Sequence, residues 1–267
     1  MGGSMSRIVS GIYIGGVASA QAKSQLEEYG ITHVCSVLHY DFKCPSRKHK
    51  LFRADDDAKQ DISKFFRDAC FFIHEARVSG GTVLVHCACG VSRSVTITIA
   101  YLMTITNMPL PKLVKAVIAA RPCACPNSGF LEQLRDYGKS GAAAKVKQEL
   151  IEHFGEWPKE RQEADIAELT ELLLRPESAT CIGATGGIVV PDDSFGDAVD
   201  NNSSNIKSGS NYSSQTTYIA RRPESYTIYQ DKPLYMQRLL AECDDTVSTT
   251  STSSSVIDIT QKNGDKR

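Results

Sequence analysis

Nine consecutive residues hold His86, Cys87, Gly90, Arg93 and Ser94, within the stretch GTVLVHCACGVSRS at 81–94. A cysteine thiol ionises near pH ~8.5, and only its thiolate attacks phosphorus usefully. A guanidinium six residues on presents a planar fork that matches two phosphate oxygens, which the point charge of a lysine does not. Gly90 lets the backbone turn tightly beside an anion. The Ser94 hydroxyl can donate to the cysteine sulfur and ease its departure. The amides of Ala88, Cys89, Gly90, Val91, Ser92 and Arg93 supply the other donors of a phosphate cradle. His86 reads as a buried hydrogen-bonding residue and not as a base, because the loop itself activates the thiol. Five fixed identities at this spacing arise by chance in on the order of one sequence in ten thousand. The chemistry they suit is nucleophilic displacement at a phosphate.

Such a loop must be carried by elements that aim its amides. Residues 82–85 (TVLV) are apolar and β-branched and follow Gly80-Gly81, the pattern of a buried strand. Residues 95–103 are mainly apolar and long enough for a buried helix. Strand, tight loop and helix N-terminus together form an anion site that holds a thiolate. Displacing an alkoxide or phenoxide also requires a proton donor. Asp55, Asp56 and Asp57 follow the short strand pattern at 51–54, where strand ends of an α/β sheet gather their active-site loops, and any of the three could serve. Cys87-x-Cys89 and Cys123-x-Cys125 repeat one spacing, yet structural zinc takes wider pairs and would consume the nucleophile. Cys89 and Cys125 read as small packed thiols; a redox role for Cys89 has only its spacing to support it. The loop therefore implies no metal and no cofactor.

The remaining pattern alternates strands and helices. Strands are expected at 8–9, 12–14, 32–38 and 51–54, and helices at 17–28, 62–78, 110–120 and 127–137. This predicts an α/β catalytic domain over 6–141, with a central, mostly parallel twisted sheet flanked by helices. Residues 142–175 read as a polar helical extension with a partial apolar stripe, which either packs on the domain or binds a partner. Residues 176–267 read as a largely disordered Ser/Thr/Asn-rich tail, since 201–214 and 248–255 cannot bury enough apolar surface to offset ordering. The apolar island at 226–240 suits a short binding motif, or simply residual hydrophobic residues in a tail.

Among 267 residues the net charge is -1, which gives no electrostatic basis for nucleic-acid binding. There is no apolar run of membrane-spanning length and no signal-peptide pattern, so the nine cysteines are expected to be reduced, in cytoplasm or nucleus. Met1-Gly2-Gly3-Ser4-Met5-Ser6 fits the acceptor pattern for N-myristoylation at Gly2, and equally a cloning remnant. Lys43, Arg47, Lys48, His49 and Lys50 form a small basic loop that could assist membrane contact, though a solvated loop is the commoner account.

The loop His86-Cys87-x-x-Gly90-x-x-Arg93-Ser94 resembles the signature of the cysteine-dependent protein phosphatases. Ala100-Tyr101-Leu102-Met103 and Arg121-Pro122-x-x-x-Pro126-Asn127-x-Gly129-Phe130-x-x-Gln133-Leu134 resemble its dual-specificity branch, over about residues 6–140. The start of the chain is similar to the small N-myristoylated, JNK-pathway-associated atypical members, which favours the lipid reading of Gly2. The resemblance implies the general acid within Ala54-Asp55-Asp56, six residues before Ile62, and so selects Asp56 with Asp57 as second choice. It further implies a cysteinyl-phosphate intermediate, phosphotyrosine and phosphoserine/threonine proteins as substrates, and MAP-kinase-pathway partners. Cys89 stands where a small apolar residue is usual, and Gly16 where Asn is common. Lipid-directed relatives carry lysines inside the loop; Ala88, Cys89, Val91 and Ser92 stand there, against a phosphoinositide or RNA 5′-phosphatase. A non-catalytic phosphoprotein-binding scaffold is disfavoured by the intact Cys87, Arg93 and Asp56.

Overall fold

A computed structural model describes residues 4–175 and 232–244. Gly2 and the polar stretches at 201–214 and 248–255 lie outside the described residues. Five strands, β1 (Ser6–Val9), β2 (Ile12–Gly15), β3 (Ile31–Leu38), β4 (Lys48–Arg53) and β5 (Thr82–His86), form one sheet in the order β1-β2-β5-β3-β4. The β1–β2 pair is antiparallel; β2–β5, β5–β3 and β3–β4 are parallel, the mostly parallel sheet expected. β5 lies in the middle, so its apolar run is buried on both faces. Val83 and Val85 point into the larger core while Leu84 points into a smaller one on the opposite face.

Two short helices, α1 (Val17–Gln21) and α2 (Lys23–Glu28), cover the smaller face. The single helix expected at 17–28 is broken at Ala22, whose ψ of 86° leaves the helical region. On the other face lie α3 (Phe66–Val78), α4 (Arg93–Thr106), α5 (Leu110–Ala120) and α6 (Ser128–Lys139). Every residue of α4 is buried, and its threonines avoid stranded hydroxyls by bonding the carbonyls four residues earlier, as Thr96 does to Ser92 and Thr98 to Ser94, each at 2.9 Å. Lys48, His49 and Lys50 lie in β4 and not in a basic loop. Lys48 pairs with Glu75 at 2.5 Å, and His49 turns inward to Ser36 at 2.8 Å.

Residues 142–175 pack on the same core. Helices α7 (Ala142–Phe154) and α8 (Lys159–Leu174) bury Val146, Leu150, Leu169 and Leu172. Asp165 of α8 grips the buried Arg77 of α3 through both oxygens, at 2.6 and 2.9 Å, and Arg77 also donates to the Ser10 carbonyl at 2.9 Å. Burial opposes the charge on Arg77, but Tyr101 and Asp165 more than restore it, so its pKa is raised. Within the region expected to be a largely disordered tail, one segment departs: helix α9 (Leu234–Asp244) buries Met236, Leu239 and Leu240 in the main core. The residual-hydrophobic reading of 226–240 thus fails for the part described. Three apolar side chains on one helical face found a groove beside α5. No helix among the described residues is long and apolar enough to cross a membrane.

Candidate active site

Cys87 leaves the C-terminal end of β5 with only 2% of its surface exposed. Its sulfur accepts hydrogen bonds from the Gly90 amide at 3.2 Å and the Ser94 hydroxyl at 3.4 Å. Burial by itself would raise the thiol's pKa. The Ser94 hydroxyl and amide, the Gly90 amide and the Arg93 charge outweigh it, so the pKa is lowered and the thiolate favoured. Gly90 meets two demands that exclude a side chain. Its φ is +72°, and a Cβ there would stand 2.5 Å from the Gly15 carbonyl oxygen.

The loop is clamped from outside through its carbonyls. Val17 donates its amide to Ala88 at 3.0 Å and Cys125 donates its amide to Val91 at 2.8 Å. Arg121, nearly buried, donates through Nε to the Gly90 carbonyl at 2.6 Å and through Nη2 to the Cys89 carbonyl at 3.1 Å. On the strand side, His86 Nδ1 faces the Cys87 carbonyl at 3.2 Å, which can only accept, so Nδ1 carries the proton. The Ser36 hydroxyl then donates to His86 Nε2 at 2.6 Å and accepts from His49 Nε2 at 2.8 Å. Burial lowers the His86 pKa to about 4, which keeps the ring neutral as this chain requires. The expected buried hydrogen-bonding role of His86 therefore has named partners.

Arg93 opens α4, folds back and donates through Nη1 to the Ala54 carbonyl at 3.1 Å. Its Nε is buried without a hydrogen-bond partner, with Asp56 Oδ2 3.7 Å away. Asp56 Oδ1 accepts from the Ser92 hydroxyl at 2.6 Å and from Asn127 Nδ2 at 3.0 Å. The two other acids turn elsewhere: Asp57 caps the Lys59 amide at 2.7 Å, and Asp55 lies 4.0 Å from His39. Of the three, Asp56 is the one brought to the cysteine loop.

The loop carrying Asp56 rests on α6. Gln133 accepts from the Ile62 and Ser63 amides at 2.8 and 3.0 Å and donates to the Gln60 carbonyl at 2.8 Å. A Cβ on Gly129 would fall 1.9 Å from the Ala58 carbonyl oxygen, so only glycine admits this approach. Asn127 joins three parts: its side chain caps α6 through the Phe130 amide at 2.9 Å, donates to Asp56, and its amide donates to Ser92 Oγ at 3.2 Å.

Residues 12–140 match the family described as "Dual specificity phosphatase, catalytic domain". The chain is 36% identical to dual specificity protein phosphatase 15 of Mus musculus over 178 residues, 66% of this chain and 74% of that protein. The chain belongs to the dual specificity phosphatase family. It is 39% identical to dual specificity protein phosphatase 22 of Homo sapiens over 161 residues, covering 59% of this chain and 86% of the relative. The crystal structure of DUSP15 superposes with a TM-score of 0.55 at 34% identity, covering 57% of this chain and 98% of that one. As a member of the family, the protein is a protein phosphatase.

In this phosphatase Cys87, Gly90, Arg93 and Ser94, grouped by sequence spacing, lie together on one loop, with Gly90 and Ser94 on the Cys87 sulfur. The sequence marked Arg121, Asn127, Gly129 and Gln133 only as signs of family, without a task. Ser36 and His49 went unmarked as partners of His86. Each acts through a partner 13 to 73 positions away, and nothing local in the sequence reports such a pairing.

Proposed function

We propose that the chain hydrolyses phosphotyrosine and phosphoserine/threonine of proteins through a cysteinyl-phosphate on Cys87. The reading is supported by the convergence at the N-terminus of α4. There a thiolate-favouring sulfur, the Arg93 Nε that makes no hydrogen bond, and the Asp56 carboxylate 3.7 Å from it converge.

In the first step the Cys87 sulfur forms a bond to phosphorus, and the bond from phosphorus to the side-chain oxygen breaks. Asp56, protonated, delivers its proton to that leaving oxygen. Arg93 and the amides of 88–93 meet the charge on the equatorial oxygens. In the second step Asp56, now a carboxylate, takes a proton from water as the water oxygen attacks phosphorus. The sulfur leaves as thiolate, assisted by the Ser94 hydroxyl. Phosphate departs and both groups return to their starting state.

Apart from Arg93, the loop side chains from Ala88 to Ser92 are uncharged, which suits a single phosphate on a protein side chain. The resemblance of the chain's start to the JNK-pathway-associated members supports MAP-kinase-pathway proteins as substrates, and its reduced-cysteine pattern supports a cytoplasmic enzyme with access to the nucleus. N-myristoylation at Gly2 would add reversible membrane association, because one acyl chain alone binds only marginally. Hydrolysis of phosphotyrosine and phosphothreonine peptides beside soluble phosphoinositides, for wild type, Cys87→Ser and Asp56→Asn, tests the assignment. Turnover retained in Cys87→Ser overturns the mechanism, and preference for the phosphoinositide overturns the substrate class. The intact mass of the protein from eukaryotic cells reads out the acyl group.

A further inference from the structure

The segment 121–127 between α5 and α6 has two working sides. Its amides serve the site: Cys125 donates to the Val91 carbonyl at 2.8 Å and Asn127 to Ser92 Oγ at 3.2 Å, while the Asn127 side chain donates to Asp56 at 3.0 Å. Its carbonyls at 122, 124 and 126 serve the C-terminal segment. Lys232 Nζ donates to the Pro122 carbonyl at 2.6 Å and the Ala124 carbonyl at 3.0 Å, and the Tyr235 hydroxyl donates to the Pro126 carbonyl at 3.1 Å. Pro122 and Pro126 have no amide hydrogen, so their carbonyls are the only backbone groups by which those residues can be held.

Two further observations fix the donors in place. Helix α9 is seated by the buried Met236, Leu239 and Leu240, and the Gln237 side chain returns to the Lys232 carbonyl at 2.7 Å. Burial beside Cys125 pushes the Tyr235 phenol up to about 12, so it remains a donor at neutral pH.

We infer that Lys232 and Tyr235 are positioning residues for the phosphatase reaction. By bracing the carbonyls of 122–126 they hold Asn127, and through it the proton donor Asp56, against the cysteine loop. The inference rests on the proposed role of Asp56. The C-terminal helix thereby becomes a working part of the catalytic unit, although residues 176–231, which join it to α8, lie outside the described residues.

The test uses the full chain with Lys232→Met, Tyr235→Phe and both together, beside Asp56→Asn. kcat/KM is measured with phenyl phosphate, whose leaving group resembles tyrosine, and with 4-nitrophenyl phosphate, whose leaving group needs less protonation. The single variants should lose about threefold and the double variant about tenfold on phenyl phosphate, with less than about twofold lost on 4-nitrophenyl phosphate. Equal losses on both substrates, no loss, or a gain overturns the inference. If Asp56→Asn itself loses both substrates equally, the acid assignment fails instead. Tyr235→Phe keeps the ring in place and carries the test alone should Lys232→Met lower the melting temperature.

Discussion

The loop of Cys87 and the loop of Asp56 meet at Ser92, and they are held there by different means. The cysteine loop leaves the central strand of the sheet and enters a helix buried along its whole length, with its carbonyls taken by Val17, Arg121 and Cys125. The acid loop leaves the edge strand, is exposed from Asp55 to Lys59, and depends on the side-chain amides of Asn127 and Gln133. Folding fixes the Cys87 sulfur. The Asp56 carboxylate is held by a few replaceable contacts, so its placement can be altered without dismantling the core.

That contrast is broken most severely at the sulfur. Cys87→Ser should lose on the order of 10⁴-fold or more in kcat, measured on a phosphotyrosine peptide, with no phosphoenzyme trapped by rapid quench. Asp56→Asn should lose about 10²- to 10³-fold and abolish the basic limb of the kcat/KM pH profile, while phosphoenzyme still forms.

One step further out, Asn127→Ala removes both a helix cap and a donor to Asp56. It should lose about tenfold in turnover and about 1 kcal/mol in urea-unfolding stability. Equal turnover in that variant would mean that Ser92 alone positions the acid.

The smallest effects sharpen the comparison. Donors to the sulfur now hold the Cys87 pKa down, so Ser94→Ala should move it up. Iodoacetate inactivation near pH 6 would then slow by a few-fold and recover as pH rises. Buried His86 and His74 are pushed down to about 4, whereas in the unfolded chain each titrates near ~6.5. Between those values the unfolded chain binds more protons. Stability is therefore complete above about pH 6.5 and declines toward pH 4, readable as a falling melting temperature. A site kept closed by backbone contacts should retain its circular dichroism until that decline is well advanced.

How much could be foreseen follows the same division. The β-branched run at 82–85 and the apolar run at 95–103 fix a strand and a helix by local pattern, and Cys87 to Ser94 is contiguous, so the fold class and the grouping of the cysteine loop are legible. The pattern at 17–28 predicts one unbroken helix, because nothing in Val-Ala-Ser-Ala-Gln-Ala-Lys announces the break at Ala22. Among Asp55, Asp56 and Asp57 the residue types alone leave the choice open and the family resemblance selects Asp56; the Ser92 and Asn127 contacts that hold it come from 36 and 71 positions away and are not legible locally. Helix α9 escaped because its apolar face has meaning only against α5. Periodicity marks an amphipathic stretch but does not name what covers it.

The pair between Arg77 and Asp165 bears on where this protein can be cut. The family match ends at residue 140, a natural place to terminate an expressed fragment. A fragment stopping there would keep Arg77 and discard the carboxylate that neutralises it inside the protein. Leaving such a charge uncompensated costs about 3–5 kcal/mol, a large share of the roughly 5–15 kcal/mol by which a domain is stable. The unit shared by the family and the unit that keeps its buried charge paired are thus two different lengths: a recombinant catalytic fragment should extend at least through Leu174, and through Asp244 to keep α9 on the core.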